Sequence, residues 1–327
     1  MSRPPTSADV DAALAFIRPH LPATPLVRSE GLSAVLGCDY TVKCENLQPI
    51  GAFKVRGGVN LVGRLSDAEK DAGLISASTG NHGQSIAWAG RQFGASVVIY
   101  APAEGANSAK LEAMRRLGAE VRLHGRDFDE ARIVAEEAAR DEGRRFVHSA
   151  NEPHLISGVG TIGIEILEAE PDVEVVLVPV GGGSGAAGMC LAAKARNPHI
   201  EVIGVQSASA PAAWQAWREK RLDIDAEMST PHEGMATRVP FEMTMQILWE
   251  QLDDFILVKD DEVDAAIRQL AQERLVAEGA GAASLAAAMK LRERLSGRRV
   301  CGVLSGGNLP LPRYAEVLAP ASATSPL

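Results

Sequence analysis

The sequence predicts an α/β fold built on two doubly wound, parallel-rich sheets. Two observations carry this expectation. Short apolar runs alternate with amphipathic helical patterns through most of the chain, and that alternation is the mark of parallel sheets covered by helices. The rhythm also comes in two blocks, one before and one after about residue 150.

In the first block, "LISA" (74–77), "SVVIY" (96–100), "EVRL" (120–123) and "RFVH" (145–148) read as strands. Between them lie "GQSIAWAGRQFG", "SAKLEAMRRLG" and "DFDEARIVAEEAARDEG". Each has helical periodicity and stops near a glycine, which accepts the left-handed conformation that ends many helices. In the second block, "VEVVLVPV" (173–180), "IEVIGVQ" (200–206), "DFILV" (254–258) and "RRVCGVLS" (298–305) repeat the pattern. "QSASAPAAWQAW" reads as a helix with an aromatic packing face. No internal repeat and no low-complexity linker appears, and the tail after Pro320 is expected to fray.

Composition narrows the function classes. Of 327 residues, 46% are hydrophobic and 23% charged, the balance of a soluble globular protein. The net charge of -9 and the lack of a basic run argue against nucleic acid as a partner. Cys38, Cys44, Cys190 and Cys301 are scattered, so neither a disulfide framework nor a zinc site is expected; reduced cytosolic thiols fit better. The start, "MSRPPTSADVDAALAF", lacks a signal-peptide pattern. "VVLVPVGGGSGAAGMCLAA" is long enough to raise the membrane question, but its proline and glycines point to a strand, a loop and a helix.

In open α/β sheets, ligands bind beyond the carboxyl ends of the strands. Three loops there are unusual. "SASTGNHGQS" (76–85) opens a helix with hydroxyls, an asparagine and a histidine, a donor-rich setting for an anion such as a carboxylate. Helix capping by Ser78 or Thr79 explains two of these residues equally well. "VPVGGGSGAAG" (178–188) runs from a buried strand through three glycines into a helix, which lets backbone N–H groups close on a phosphate. A tight turn is the alternative. "VLSGGNLP" (303–310) again runs from a strand into paired glycines and places Ser305 at the crevice, although for this loop alone a simple turn is the better reading. A fourth stretch, "QPIGAFKVRG" (48–57), sets Lys54 between Phe53 and Val55, where an amine has no evident surface role.

Together "GAFKVRG", "STGNHG", "GGGSG" and "SGGN", in this order, resemble the serine/threonine dehydratase group of fold-type-II pyridoxal-phosphate enzymes, which is related to the tryptophan synthase β chain. "NEPHLISGVGTIGIEIL" (151–167) and "EGAGAASLAA" (278–287) extend the similarity over most of the chain. The resemblance implies pyridoxal 5'-phosphate as cofactor, attached through Lys54, which would also act as the catalytic base. It implies Gly181, Gly182, Gly183 and Ser184 on the phosphate, Asn81 on the ring 3'-oxygen and Ser305 on the ring nitrogen. Ser78, Thr79 and His82 would bind the substrate carboxylate.

The implied reaction removes the β-hydroxyl of L-threonine or L-serine and yields a 2-oxo acid and ammonia. The alternatives are amino-acid racemisation, or dehydration of hydroxyaspartate or phenylserine. In serine racemases, the opposite-face acid/base is a serine where this chain has Thr79. The implied division is a large cofactor domain of residues 1–72 plus 151–327 and a small domain of 73–150. A cytoplasmic homodimer without a metal is expected, since Gln206, Ser207, Ala210 and Ala212 stand where relatives place cation ligands. Asn151 is shifted by one from a family asparagine. Glu278 falls where relatives place an acid near the ring, and a helix-end salt bridge explains it as well. Arg238, in "HEGMATRVPF" (232–241), can meet a substrate group or pin its loop to the body. No regulatory domain is expected after the catalytic body.

Overall fold

The computed structural model describes residues 3–104 and 107–319, so the tail after Pro320 lies outside it. Among the described residues ten strands form two sheets: β1 (Leu26–Arg28), β2 (Asp39–Cys44), β3 (Leu74–Ala77), β4 (Val97–Ala101), β5 (Glu120–Leu123), β6 (Arg145–Val147), β7 (Val175–Pro179), β8 (Glu201–Ser207), β9 (Asp254–Val258) and β10 (Arg299–Leu304). The larger sheet has the order β1-β2-β10-β7-β8-β9 and the smaller β5-β4-β3-β6. Every pairing is parallel except that of β1 with β2.

All eight strands read from the sequence are present, five of them with ends moved by a residue or two. β1 and β2 are additions to that reading. β1 has only three residues. β2, "DYTVKC", holds a lysine, yet Lys43 is buried with the rest of the strand. The three expected helices of the first block run Asn81–Phe93, Ser108–Arg116 and Phe128–Asp141.

Strand order places the site. β10, the last strand in sequence, inserts between β2 and β7. Leu304 at its end is in register with Cys44 at the end of β2. The loops that leave β2, β10 and β7 therefore emerge side by side, and they carry Lys54, Ser305 and Gly181–Ser184. The helix Gly279–Lys290 packs over β7 and β10. Its glycine- and alanine-rich face permits that approach: a side chain on Gly281 would run into the carbonyl of Gly306. Around the larger sheet, two apolar clusters bury Val176, Val178, Ile162 and Cys301 on one side and Leu177, Val205, Ala283 and Leu304 on the other. The smaller sheet has its own clusters, centred on Ile99 and on Val98.

Candidate active site

Lys54 opens the helix Lys54–Gly63, with Phe53 as an N-cap that makes no side-chain bond. The preceding loop is fixed by the backbone of the "SGGN" loop instead. Phe53 N–H donates to the Ser305 carbonyl at 2.9 Å, Gly307 N–H donates to Gly51 at 2.9 Å, and Ala52 bridges Gly306. From the other side, Ser85 Oγ donates to the Lys54 carbonyl at 2.6 Å. The Lys54 amine lies 2.9 Å from Ser184 Oγ, at the end of the glycine loop. Three chain segments far apart in sequence thus converge on one amine. Burial lowers its pKa to about 8, so a useful fraction is uncharged and nucleophilic near neutral pH.

The amine opens into a cavity of about 430 Å³, a size suited to a small ligand. Ser78, Thr79, Asn81, His82, Gly181, Gly182, Gly183, Ser184 and Ser305 line it with Lys54. At one end the helix Ser184–Arg196 begins without a side-chain cap. Its first N–H groups lack intrahelical acceptors and carry the positive end of the helix dipole. Gly183 reaches this point with φ of +89°, a conformation that favours glycine.

At the opposite end, Ser78 Oγ accepts from Gly83 N–H at 2.8 Å and from Gly80 N–H at 3.1 Å. Its hydroxyl therefore shapes the start of the Asn81–Phe93 helix, which is the capping reading of this loop. Among the described residues, the N–H groups of Asn81 and His82 have no acceptor and remain for an anion. The His82 ring is turned to Ser76, with Nε2 at 2.8 Å from a hydroxyl that itself donates to the Val147 carbonyl at 2.7 Å. Because that hydroxyl's proton is already committed, Nε2 carries the proton. Burial, with Lys54 and His148 nearby, lowers the His82 pKa to about 3. The ring is neutral, so His82 offers an anion its backbone N–H rather than a positive charge.

Asn81 Nδ2 donates to Glu278 Oε1 at 2.6 Å, while its Oδ1 accepts from Asn308 Nδ2 at 2.8 Å. One Asn81 N–H stays available. Glu278 is buried and its pKa is raised by desolvation. It meets an amide rather than a basic side chain, which differs from the helix-end salt bridge considered above. Asn308 is a residue the sequence reading did not single out, although "SGGN" contains it. The same is true of Lys110 and Glu233, which form an ion pair of 2.6 Å at the cavity wall. A lysine and a glutamate of such ordinary surroundings send no signal in sequence.

Arg238 lies beside Asp225 at 3.4 Å and Asp127 at 3.6 Å, and its carbonyl accepts from Ala226 N–H, which favours the loop-pinning reading. Asn151 Oδ1 accepts from Met243 N–H and so braces a helix start. Among the described residues no three His, Cys, Asp or Glu side chains are grouped to hold a metal, and no helix is long and apolar enough to cross a membrane.

Comparison with known proteins agrees with the chemistry of this donor set. The model of a family described as pyridoxal-phosphate dependent enzyme matches residues 17–306. An L-threonine ammonia-lyase of Thermotoga maritima is 39% identical over 314 residues, which are 96% of this chain and 78% of that protein. A catabolic L-threonine dehydratase of Staphylococcus aureus is 38% identical over 315 residues, 95% of this chain and 91% of that one. Among solved structures, the processed form of threonine deaminase isoform 2 from Solanum lycopersicum superposes with a TM-score of 0.89 at 31% identity, covering 98% of this chain and 97% of its own. Maize serine racemase superposes with a TM-score of 0.91 at 27% identity, covering 95% and 96%.

Proposed function

The chain belongs to the pyridoxal-phosphate dependent enzyme family, and we propose that it is an ammonia-lyase that removes the β-hydroxyl of L-threonine or L-serine to give a 2-oxo acid and ammonia. The observation that carries this is the Lys54 amine: largely desolvated, 2.9 Å from Ser184 at the mouth of an uncapped helix, and joined through the backbone to the Ser305 loop. These residues fit the cofactor. An amine with a pKa of about 8 can attach an aldehyde, and a glycine loop at a helix N-terminus suits a phosphate. Three of the four relatives described above are named as a threonine ammonia-lyase, dehydratase or deaminase.

When bound, pyridoxal phosphate supplies an electron sink that acidifies the α-proton of an attached amino acid. Lys54 would anchor the cofactor and, as a free amine, would take that proton. The backbone N–H groups of Gly181, Gly182, Gly183 and Ser184 would hold the phosphate. The remaining Asn81 N–H would serve the ring 3'-oxygen and the Ser305 hydroxyl the ring nitrogen, where a hydroxyl rather than a carboxylate would not enforce a charged ring. The N–H groups of Asn81 and His82 hold the substrate carboxylate, with Ser78 fixing their loop and the Thr79 hydroxyl lining it. The β-hydroxyl would leave as water with a proton from the cofactor phosphate, and hydrolysis of the eliminated product would release ammonia.

In this reading residues 1–72 with 151–327 form the larger domain and 73–150 the smaller one. The working form is a cytoplasmic homodimer. The test is 2-oxo acid release from L-serine, L-threonine, threo- and erythro-3-hydroxyaspartate and phenylserine, with chiral analysis of residual substrate. Release from L-threonine or L-serine is expected. No release from any of them, with the cofactor's visible band intact, overturns the lyase assignment. Inverted residual substrate moves it to racemisation, with the Thr79 hydroxyl as the opposite-face acid.

A further inference from the structure

Two residues beyond Lys54, Arg56 is fully buried, and all five of its N–H groups are spent. Nε and Nη2 donate to the two oxygens of Glu45, each at 2.8 Å. Nη1 and Nη2 donate to the two oxygens of Glu165 at 2.6 and 2.7 Å, and Nη1 also reaches Thr161 Oγ1 at 3.2 Å. Lys43 Nζ joins Glu165 at 2.6 Å and the Thr24 carbonyl at 2.7 Å. Thr24 Oγ1 donates to Glu45 at 2.6 Å. Two cations and two anions therefore neutralise one another in the dry interior.

Fold stability is a poor reason for such a cluster. Buried ions lose hydration, and apolar side chains of similar volume often stabilise a core equally well or better. What a guanidinium fork supplies that an apolar contact lacks is direction, because its planar donors, four on the two carboxylates and one on Thr161, fix its orientation. Here the fork joins the 3-10 turn Glu45–Leu47 and the helix Pro153–Ala169 to the first turn of the Lys54–Gly63 helix, and Lys43 ties β2 to the same cluster through Glu165. That first turn has no side-chain cap of its own.

We propose that Arg56 is a positioning residue for Lys54: its two-carboxylate fork sets the rotation and height of the helix start, and so where the Lys54 amine enters the cavity. This rests on Lys54 being the attachment point of the cofactor. A slip of the order of 1 Å at a reacting group can cost roughly a hundredfold in rate.

Two variants separate positioning from support. The first combines Arg56→Met, Glu45→Leu, Glu165→Leu and Lys43→Met, so that all four charges leave together. The second, Arg56→Lys, keeps the charge and loses the fork. Folding is followed by circular dichroism and Tm. The decisive measurement is the pH dependence of the rate at which the cofactor-stripped full chain regains visible absorbance with pyridoxal phosphate, together with kcat and KM for L-threonine.

The apolar variant is expected to fold with an unchanged or higher Tm. Its reattachment midpoint should move up by about one pH unit as the amine becomes hydrated. Its kcat should fall at least about tenfold with a smaller change in KM. Arg56→Lys should shift in the same direction. A folded apolar variant with the wild-type midpoint and kcat overturns the proposal. If that variant does not fold, isosteric Thr161→Val decides: a smaller upward shift supports the proposal and a wild-type midpoint overturns it. Failure of the underlying reading looks different, since wild type would then gain no band or Lys54→Ala would gain the same one.

Discussion

At the scale of single residues, the site works by controlling which groups carry charge. Lys54 is held partly neutral by burial, and in the proposed function its replacement removes both the anchor and the base. Lys54→Ala should lose the visible cofactor band and lower kcat by about 10³-fold or more, measured on protein of unchanged Tm. His82 is neutral for the same reason, and this has a consequence for acid stability. Its folded pKa of about 3 lies below the ordinary 6.5, so between those values the unfolded chain binds a proton that the folded chain does not. Stability then rises with pH across that window and is lost on acidification. His148, lowered to about 4 by burial, acts in the same direction. In His82→Asn, Tm measured from pH 7 to pH 4 should fall less steeply than in wild type; an identical slope would mean that the ring is already solvated. Lys54, the glycine loop and Ser305 stood out in the sequence through the order of four motifs taken together, because a simple turn explains either glycine loop alone. The sequence was silent on the role of Asn308 and on the Lys110–Glu233 pair, because those contacts arise only when distant segments meet.

At the scale of elements, the legible parts were those with strong local periodicity. β3 and β9 have the ends read from their apolar runs. β1 and β2 were hidden for opposite reasons. β1 is too short to have a pattern. β2 contains Lys43, whose charge counts against a buried strand until Glu165 and the Thr24 carbonyl are placed around it. Helix contacts were equally hidden, because they depend on what is missing from a side chain. Gly158 packs so closely on the Lys54–Gly63 helix that a Cβ would stand 2.7 Å from the Arg56 carbonyl and 2.8 Å from the Gly57 Cα. Those are backbone atoms and cannot rotate away. Gly158→Ala should cost about 1–3 kcal/mol in urea unfolding. Because the strain falls on the turn that begins with Lys54, it should also weaken the visible band. A stable variant with a normal band would show that the two helices slide apart freely.

At the scale of the whole molecule, residues that follow strands of both sheets line the cavity, and polar contacts join its two sides. Asn81 on the 74–147 side meets Glu278, Lys110 meets Glu233 and Arg238 meets Asp127. The first of these contacts lies deep in the site and the other two at its wall. Ion pairs this exposed contribute little to folding, roughly 0–1 kcal/mol, and the Glu233 side chain is 43% exposed. Their effect should instead fall on how firmly the cavity closes over a substrate. The Lys110 stem also lies against the Gly80 backbone, within the loop whose N–H groups are assigned to the carboxylate. Releasing Lys110 from Glu233 therefore loosens the wall and the binding loop together. Glu233→Gln should leave Tm within about 2 °C of wild type, as a small loss of stability implies for a chain of this size. It should raise KM for L-threonine about three- to tenfold while kcat changes less. Added salt should raise the wild-type KM and leave that of the variant nearly unchanged, because screening acts on a pair that only wild type has. A matched fall in Tm with an unchanged KM would instead make the pair a brace of the fold and leave closure to the Asn81–Glu278 contact.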